Sequence, residues 1–319
     1  MRIVILERNS VGLDVSVDGI RQFGDVTEYP NTTAADVKEK IKDAEIIVAN
    51  KAPLSAEVLE GASKVKLICE FATGFDNVDV AYCKSRGIKV ANVVNYSTDA
   101  VAQHTFALAL YVLEKLHHYD NYVKSGAYAA QERFSNFDLP FTELAGRTWG
   151  IVGMGNIGKR VAKIAEAFGC KVIFYSASGN STCTDYERVD FETLLKESDV
   201  LSLHCPLSDK TRDLIDLEAL KKMKETAILV NVARGPVVND QALYTALTED
   251  YIAAAALDVT STEPMKDSNP LSKIMDSNKL IITPHMGWAS LEARTRCVSE
   301  TCKNIEAFLK GENRNIVNL

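Results

Sequence analysis

The sequence predicts an α/β fold with two parallel sheets, and three observations support this prediction. Short apolar runs alternate with helical patterns along the chain, as in sheets covered by helices on both faces. One run, within residues 149–158 (WGIVGMGNIG), leads into a Gly-x-Gly-x-x-Gly turn and then a helical pattern. A length of 319 residues with 46% hydrophobic and 25% charged residues suits two ordinary domains.

The apolar runs form two series separated by one long helical pattern. The first series predicts strands at residues 2–6, 45–48, 67–71 and 89–93. The second predicts strands at residues 149–152, 171–175, 200–204, 227–231, 253–258 and 280–283. Between them, residues 98–124 predict a single, mostly buried connecting helix. We therefore expect a second domain to open in mid-chain, with the C-terminal segment rejoining the first.

The glycine turn has the steric properties of a dinucleotide site. Gly153 permits a tight turn, Gly155 allows backbone to approach a pyrophosphate, and Gly158 allows close packing of helix and strand. The predicted helix begins at Lys159, directly after the turn, and its N-terminal amides would face the phosphates. Three glycines alone also occur in ordinary loops, so the flanking strand and helix are needed for this interpretation.

Composition narrows the class of function. A formal charge of −7, without clusters of Lys and Arg, argues against a nucleic-acid or anionic-membrane partner. The seven cysteines have no Cys-x-x-Cys or zinc-type spacing, which favours reduced thiols in the cytoplasm and no metal site. No stretch of about 18 apolar residues, the length of a membrane span, occurs. A cytoplasmic enzyme that acts on small molecules is the resulting expectation.

Ligands of such folds bind at the carboxyl ends of the strands. Three types of reactive side chain follow strands of the second series. Arg234 lies on a Gly-bounded turn and suits a carboxylate, although a solvated surface arginine is an equal alternative. Glu263 and His285 suit proton transfer, since a carboxylate favours charged imidazole. By themselves, they are better explained as an exposed loop acid and a histidine bonded to backbone. His104 and His204 are interpreted as structural.

The predicted first domain offers a further anion site. Thr73 and Gly74 follow its third strand and could turn backbone amides toward an anion, but the same residues suit a plain turn. Lys51 follows the second strand and would add positive charge at the same edge. A solvated lysine is the alternative.

Five motifs in order resemble the D-isomer-specific 2-hydroxyacid dehydrogenase family over nearly the whole chain. They are TELAGRTWGIVGMGNIG, SDVLSLHCPLSDKTRDLID, AILVNVARGPVVND, AALDVTSTEP and ITPHMGWAS. The segments ATGFDNVDV and NYSTDAVAQHTFALAL resemble its glycerate dehydrogenase (hydroxypyruvate reductase) branch. The resemblance implies two Rossmann-like domains. A doubly wound dinucleotide-binding domain, residues 99–287, is inserted in a smaller flavodoxin-like substrate domain, residues 1–98 and 288–319.

The resemblance also implies roles for individual residues. Arg234 orients the keto acid and polarises its carbonyl, His285 donates the proton, and Glu263 pairs with the imidazole. Thr73 and Gly74 hold the substrate carboxylate with help from Lys51. Asp258 contacts the nicotinamide carboxamide. The other implied cofactor residues are Gly153, Gly155, Asn156, Ile157, Gly158, Ser176, Cys205, Pro206, Val232, Ala233 and Gly287.

The expected reaction is reduction of a small 2-keto acid to its D-2-hydroxy acid, with hydroxypyruvate and D-glycerate as the leading pair. Alternatives are a D-lactate or branched-chain 2-hydroxyacid dehydrogenase and, in another class, a dinucleotide-sensing corepressor. The resemblance implies a homodimer formed through the cofactor domain. Ser176 occupies the place where an acid commonly binds the adenosine ribose of NAD. No Lys or Arg follows before Arg188, so the sequence favours NAD, with NADP as the alternative.

Overall fold

The computed structural model describes all residues, 1–319, and divides into two compact units. Unit 1 comprises Met1–Ser97 with Trp288–Leu319, and unit 2 comprises Thr98–Gly287. Each unit is built on one sheet whose strands are all parallel. The predicted fold class, two α/β domains with parallel sheets, is confirmed.

Unit 1 has a five-stranded sheet in the order β2-β1-β3-β4-β5. This is the strand order of flavodoxin-like folds. Its strands are β1 (Arg2–Ile5), β2 (Asp25–Glu28), β3 (Ile46–Ala49), β4 (Leu67–Glu70) and β5 (Lys89–Ala91). Its α-helices are α1 (Val37–Ile41), α2 (Ala56–Glu60), α3 (Val80–Ser85) and the C-terminal α11 (Leu291–Leu309). Helix α11 packs on β4, and the tail bridges β5 at Ala91 and Ile316.

Unit 2 has a seven-stranded sheet in the order β12-β11-β10-β9-β6-β7-β8. Its strands are β6 (Thr148–Val152), β7 (Lys171–Tyr175), β8 (Glu187–Arg188), β9 (Val200–Leu203), β10 (Ile228–Asn231), β11 (Ala254–Leu257) and β12 (Leu280–Ile282). Its α-helices are α4 (Thr98–Leu113), α5 (Leu116–Lys124), α6 (Ala127–Ala130), α7 (Asn156–Ala167), α8 (Phe191–Glu197), α9 (Leu217–Lys222) and α10 (Asp240–Thr248). The strand order reverses between β6 and β9, which is the ligand-binding switch point of doubly wound sheets.

Buried apolar side chains cover both faces of the unit 2 sheet. One core cluster contains Leu201, Leu229 and Leu243, and the other contains Trp149, Phe174 and Phe106 of α4. The Phe106 and Trp149 rings stack with centroids 4.5 Å apart. Covered on both sides, the central strands consist almost entirely of apolar residues, as the sequence predicted.

Two sequence predictions about individual elements are wrong. The single helix predicted over residues 98–124 is two helices, because Lys115 has a left-handed backbone (φ 56°) between α4 and α5. The sheets also contain two strands more than predicted, β2 and β8. Both are edge strands with no fully buried residue, so neither has the apolar run that marks a buried strand.

Candidate active site

The glycine turn lies between β6 and α7, at the switch point of the sheet. Gly153 has a positive φ of 94°, and a Cβ there would lie 2.8 Å from the backbone nitrogen of Cys205. A Cβ on Gly158 would lie 2.2 Å from the carbonyl oxygen of Gly153. Both positions therefore require glycine for packing. Gly155 differs, because a Cβ there would meet nothing within 4 Å.

Open space beside Gly155 is part of a cavity of about 500 Å³. Ser176, Cys205 and Pro206 line this cavity together with the glycine turn. Asn156, Ile157 and Gly158 form the first turn of α7, and the backbone N–H groups at a helix N-terminus favour an anion. A pyrophosphate approaching Gly155 would meet backbone rather than a side chain, so these residues fit a dinucleotide.

His204 gives a second sign that the cavity accepts a polar ligand. Its Nε2 lies 3.0 Å from Ser202 Oγ, which also accepts a hydrogen bond from Trp149 Nε1 at 2.9 Å. Its Nδ1 is shielded from solvent and has no hydrogen-bond partner. Burial lowers the pKa of His204 to about 3, so the ring is neutral at physiological pH. An orphaned ring nitrogen beside a cavity is a group that a bound molecule would satisfy.

Arg234 follows β10 on a turn that is held by a buried amide. The side chain of Asn231 donates to the Arg234 carbonyl at 3.0 Å and accepts from Ala233 N at 3.0 Å. A Cβ on Gly235 would lie 1.8 Å from the carbonyl oxygen of Thr260, so this turn packs directly against the loop after β11. Val232 is half-buried and Ala233 is buried on the same turn.

His285 and Glu263 form a hydrogen-bonded pair. The distance from His285 Nδ1 to Glu263 Oε2 is 2.8 Å, and the side chains are 27% and 34% exposed. Oε1 of Glu263 accepts a hydrogen bond from Thr260 N at 3.3 Å. With Nδ1 directed at the carboxylate, Nε2 is the nitrogen left to exchange a proton with a ligand. The structure therefore brings these two predicted residues together.

Asp258 organises the segment that carries His285. Its buried carboxylate accepts hydrogen bonds from Met286 N and Gly287 N, each at 2.7 Å, and from Thr283 Oγ1 at 2.6 Å. Its backbone carbonyl accepts from His285 N at 2.9 Å. His285 has a left-handed φ of 56°, a conformation that needs such support. The implied contact of Asp258 with a carboxamide stays a prediction.

His104 of α4 completes the contacts of Asp258. Its Nε2 lies 3.1 Å from Asp258 Oδ1 and 3.0 Å from Thr283 Oγ1. Burial raises the pKa of Asp258, but the hydrogen bonds from His104, Thr283, Gly287 and Met286 outweigh burial and lower it. Asp258 is therefore ionised at neutral pH.

In unit 1, the proposed substrate residues lie on two loops that are bonded to each other. Lys51 is exposed on the loop after β3, and Thr73 and Gly74 lie on the loop after β4. Thr73 Oγ1 donates to Val93 O at 2.7 Å, and its carbonyl accepts from Asn92 Nδ2 at 2.7 Å. A parallel bridge at Leu54 and Val78 joins the loops.

Two acidic residues that the sequence interpretation missed hold these loops. Glu7 Oε2 accepts hydrogen bonds from the backbone N–H groups of residues 50–52 at 2.8 to 2.9 Å. Glu70 ends β4, is fully buried, and accepts from Asn77 Nδ2 at 3.3 Å. Burial raises the pKa of Glu70 to about 8. The sequence did contain a sign of this role, because Glu70 is the only charged residue of the buried run LICE.

The geometry of unit 2 defines a class of protein: an oxidoreductase that binds a nicotinamide dinucleotide and has a hydrogen-bonded His–Glu pair on the same sheet. The chain contains no group of three or more His, Cys, Asp and Glu side chains suited to a metal ion. No helix has the length and apolar character needed to span a membrane.

Comparisons with known proteins identify the family. Residues 106–287 match the family model described as the NAD-binding domain of D-isomer-specific 2-hydroxyacid dehydrogenases, and the chain belongs to this family. A hydroxypyruvate reductase of Blautia hydrogenotrophica is 38% identical over 324 residues, covering 100% of both chains. A glycerate dehydrogenase of Methylorubrum extorquens is 39% identical over 317 residues, covering 99% of this chain and 98% of the relative.

Solved structures agree with this family. The structure of D-lactate dehydrogenase from Aquifex aeolicus, complexed with NAD and lactic acid, has a TM-score of 0.88 and 30% identity. The match covers 100% of this chain and 99% of that chain. The predicted class, an NAD(P)-dependent oxidoreductase acting on small 2-keto and 2-hydroxy acids, is confirmed. The corepressor alternative is not favoured.

Proposed function

We propose that this enzyme reduces hydroxypyruvate to D-glycerate. The observation that carries the proposal is the His285–Glu263 pair, 2.8 Å apart, in the unit that also contains the glycine turn and Arg234. Two relatives with 38% and 39% identity over the whole chain are a hydroxypyruvate reductase and a glycerate dehydrogenase, which supports this substrate.

A nicotinamide cofactor held by the glycine turn would supply the hydride that reduces the carbonyl carbon of the keto acid. Arg234 orients the substrate and stabilises the negative charge that develops on the carbonyl oxygen. His285 Nε2 donates a proton to that oxygen, which yields the hydroxyl group. Glu263 accepts the Nδ1–H of His285 throughout, which fixes the orientation of the ring. His285 thus provides the one proton that the reduction requires.

Unit 1 is the proposed substrate-binding domain and unit 2 the cofactor-binding domain. In this proposal, backbone amides of Thr73 and Gly74 bind the substrate carboxylate, and Lys51 adds a positive charge. Asp258 and Gly287 are assigned to the nicotinamide end of the cofactor, and Val232 and Ala233 to the lining of the cofactor site. The hydrogen bonds of Glu7 and Glu70 to these loops support the carboxylate site, because they fix the backbone that presents the amides.

The substrate is tested by following NADH and NADPH absorbance with hydroxypyruvate, glyoxylate, pyruvate and branched 2-keto acids. We expect the highest kcat/KM with hydroxypyruvate and a product of D configuration. A higher kcat/KM with pyruvate or a branched acid would support the D-lactate or branched-chain alternative, which the comparisons do not favour. Chiral chromatography of the product gives the configuration, and an L product would refute the proposal.

A homodimer formed through unit 2 is the proposed assembly. Phe134, Phe137 and Phe141 are 89%, 71% and 54% exposed on one segment, a concentration of apolar surface typical of an interface. Light scattering after size exclusion should give twice the chain mass of 35.0 kDa. The Phe134→Ser/Phe137→Ser variant should be monomeric, and a monomeric wild type would contradict the proposal.

A cytoplasmic location is also proposed. All seven cysteines are unpaired, and five of them are buried, a pattern that favours a reducing compartment. Fractionation of cells producing the full-length protein tests this location.

A further inference from the structure

The dinucleotide cavity of unit 2 has in its lining a positively charged residue that the sequence interpretation did not find. The cavity extends from the glycine turn past Ser176 to residues 177–182 and to the loop after β9. No aspartate or glutamate lines it. The residue that binds the two ribose hydroxyls of NAD in this fold is commonly an acid after the second strand. That acid also repels a phosphate on the 2′ oxygen, and this cavity has no such repulsion.

Lys210 lines the cavity from the loop after β9. It is exposed and makes no ion pair or hydrogen bond within the protein, and its nearest acidic neighbour in sequence, Asp209, does not line the cavity. The loop itself is held in place, because the buried Thr211 Oγ1 donates to Pro206 O at 2.7 Å and accepts from Ser208 N at 2.8 Å. An unpaired cation therefore lies on an ordered loop beside an otherwise uncharged cavity.

Hydroxyl and amide groups form the neighbouring part of the lining. Ser176 Oγ lies 3.4 Å from Ser178 Oγ, and Asn180 N donates to Ser178 Oγ at 3.2 Å. Arg188 supports this turn from outside by donating to the Gly179 carbonyl at 3.0 Å. Serine hydroxyls and a lysine ammonium are donors that suit phosphate oxygens.

We propose that this cavity binds the 2′-phosphorylated adenosine of NADPH, with Lys210 as the residue that determines specificity for the phosphate and Ser176 and Ser178 as hydroxyl donors. The enzyme thus accepts NADPH as well as NADH, and binds NADPH at least as tightly. This proposal rests on the proposed redox function only in requiring that the protein bind a nicotinamide dinucleotide. It does not depend on which keto acid is reduced.

The test is calorimetric titration of the whole protein with adenosine 2′,5′-bisphosphate and with 5′-AMP, which differ only in the 2′-phosphate. We expect the wild type to bind the bisphosphate at least as tightly as AMP. Lys210→Ala should raise the Kd of the bisphosphate relative to that of AMP by about two- to fivefold, the scale of one solvent-accessible charge pair. Lys210→Glu should raise this ratio further, and added salt should reduce the wild-type preference.

Lys222→Ala is the matched control, since Lys222 is an exposed lysine of α9 that pairs with Glu192 and does not line the cavity. It should leave the ratio of the two Kd values unchanged. Fluorescence titration should show that the wild type binds NADPH at least as tightly as NADH. If the wild type binds the bisphosphate less tightly than AMP, or if Lys210→Glu leaves the ratio unchanged, the proposal is overturned while hydroxypyruvate reduction stands. If neither NADH nor NADPH binds, both proposals fail.

Discussion

Replacing Asp258 by asparagine should destabilise unit 2, because the carboxylate is buried and both of its oxygens accept hydrogen bonds. Its side chain is 3% exposed, and its two oxygens separately accept the N–H groups of Met286 and Gly287. An amide presents one oxygen and one NH₂ group, so in either orientation one of these N–H groups faces a donor. Leaving a buried donor unsatisfied costs about 1–3 kcal/mol, and the remaining bonds lose their ionic character. We therefore expect a loss of about 2–4 kcal/mol.

Calorimetry measures this loss directly. For a unit of this size, 1 kcal/mol corresponds to a shift of roughly 2–4 °C, so Asp258→Asn should lower the Tm of unit 2 by on the order of 10 °C. Asp120→Asn is the control, since it removes an exposed carboxylate of α5 that pairs only with Lys124. It should change Tm by less than about 2 °C. An equally small shift for Asp258→Asn would refute the assignment of Asp258 as the anchor of the His285 segment.

The pH dependence of this difference has a definite sign. Because the pKa of Asp258 is lowered in the folded state, its stabilisation is present above the unfolded value of 3.8 and is lost as pH falls through the folded value. The Tm difference between wild type and Asp258→Asn should thus be constant near neutral pH and shrink below about pH 4. A difference that grows with acidification would contradict this reasoning.

Three further predictions concern other positions. His285→Ala should lower kcat by about 100-fold or more and leave the Kd of NADH nearly unchanged, as stopped-flow kinetics and fluorescence titration would measure, whereas unaltered turnover would exclude His285 from proton transfer. Gly155→Ala should fold with unchanged Tm but lose cofactor affinity, while Gly158→Ala should lower Tm, since only the second Cβ collides with backbone; equal Tm values would contradict this distinction. Because burial raises the pKa of Glu70 to about 8, wild-type stability should fall as the pH rises from the unfolded value of 4.5 to about 8. Glu70→Gln cannot ionise, so it should gain stability relative to wild type across this range in denaturant titrations. A stability difference that does not change with pH would contradict the raised pKa of Glu70.

The central strands and the glycine turn could be predicted from the sequence because burial on both faces produces uninterrupted apolar runs. Strands β2 and β8 could not, because edge strands with exposed residues such as Glu187 have no such pattern. Likewise, no glycine or proline marks the break at Lys115. In the site, the pairing of Glu263 with His285 was expected from the family resemblance, because their positions after strands did not by themselves distinguish it from a loop acid and a backbone-bonded histidine.

Residues that act through contacts distant in sequence could not be found in this way. His104 lies 154 positions before Asp258, and only the packing of α4 on the sheet brings their side chains together. The elements β8, α8 and β9 separate Lys210 from Ser176 in sequence. The first cationic residue after β7 is Arg188, so the sequence that follows β7 does not point to Lys210. In both cases, the parallel order of the strands, rather than distance in sequence, decides which loops are neighbours.

A common device positions the proposed chemical groups in both units. Asn231, Asp258 and Glu70 are polar residues at or directly after the carboxyl ends of buried strands, and none is more than 2% exposed. Each bonds to the loop that carries proposed site residues: Asn231 to the Arg234 turn, Asp258 to the His285 segment, and Glu70 to the loop of Thr73. A buried polar group is tolerated only when its hydrogen bonds are made, so each of these side chains restricts its loop to one arrangement. Polar residues that end apolar runs are therefore the first positions to examine for residues that position an active site of this fold.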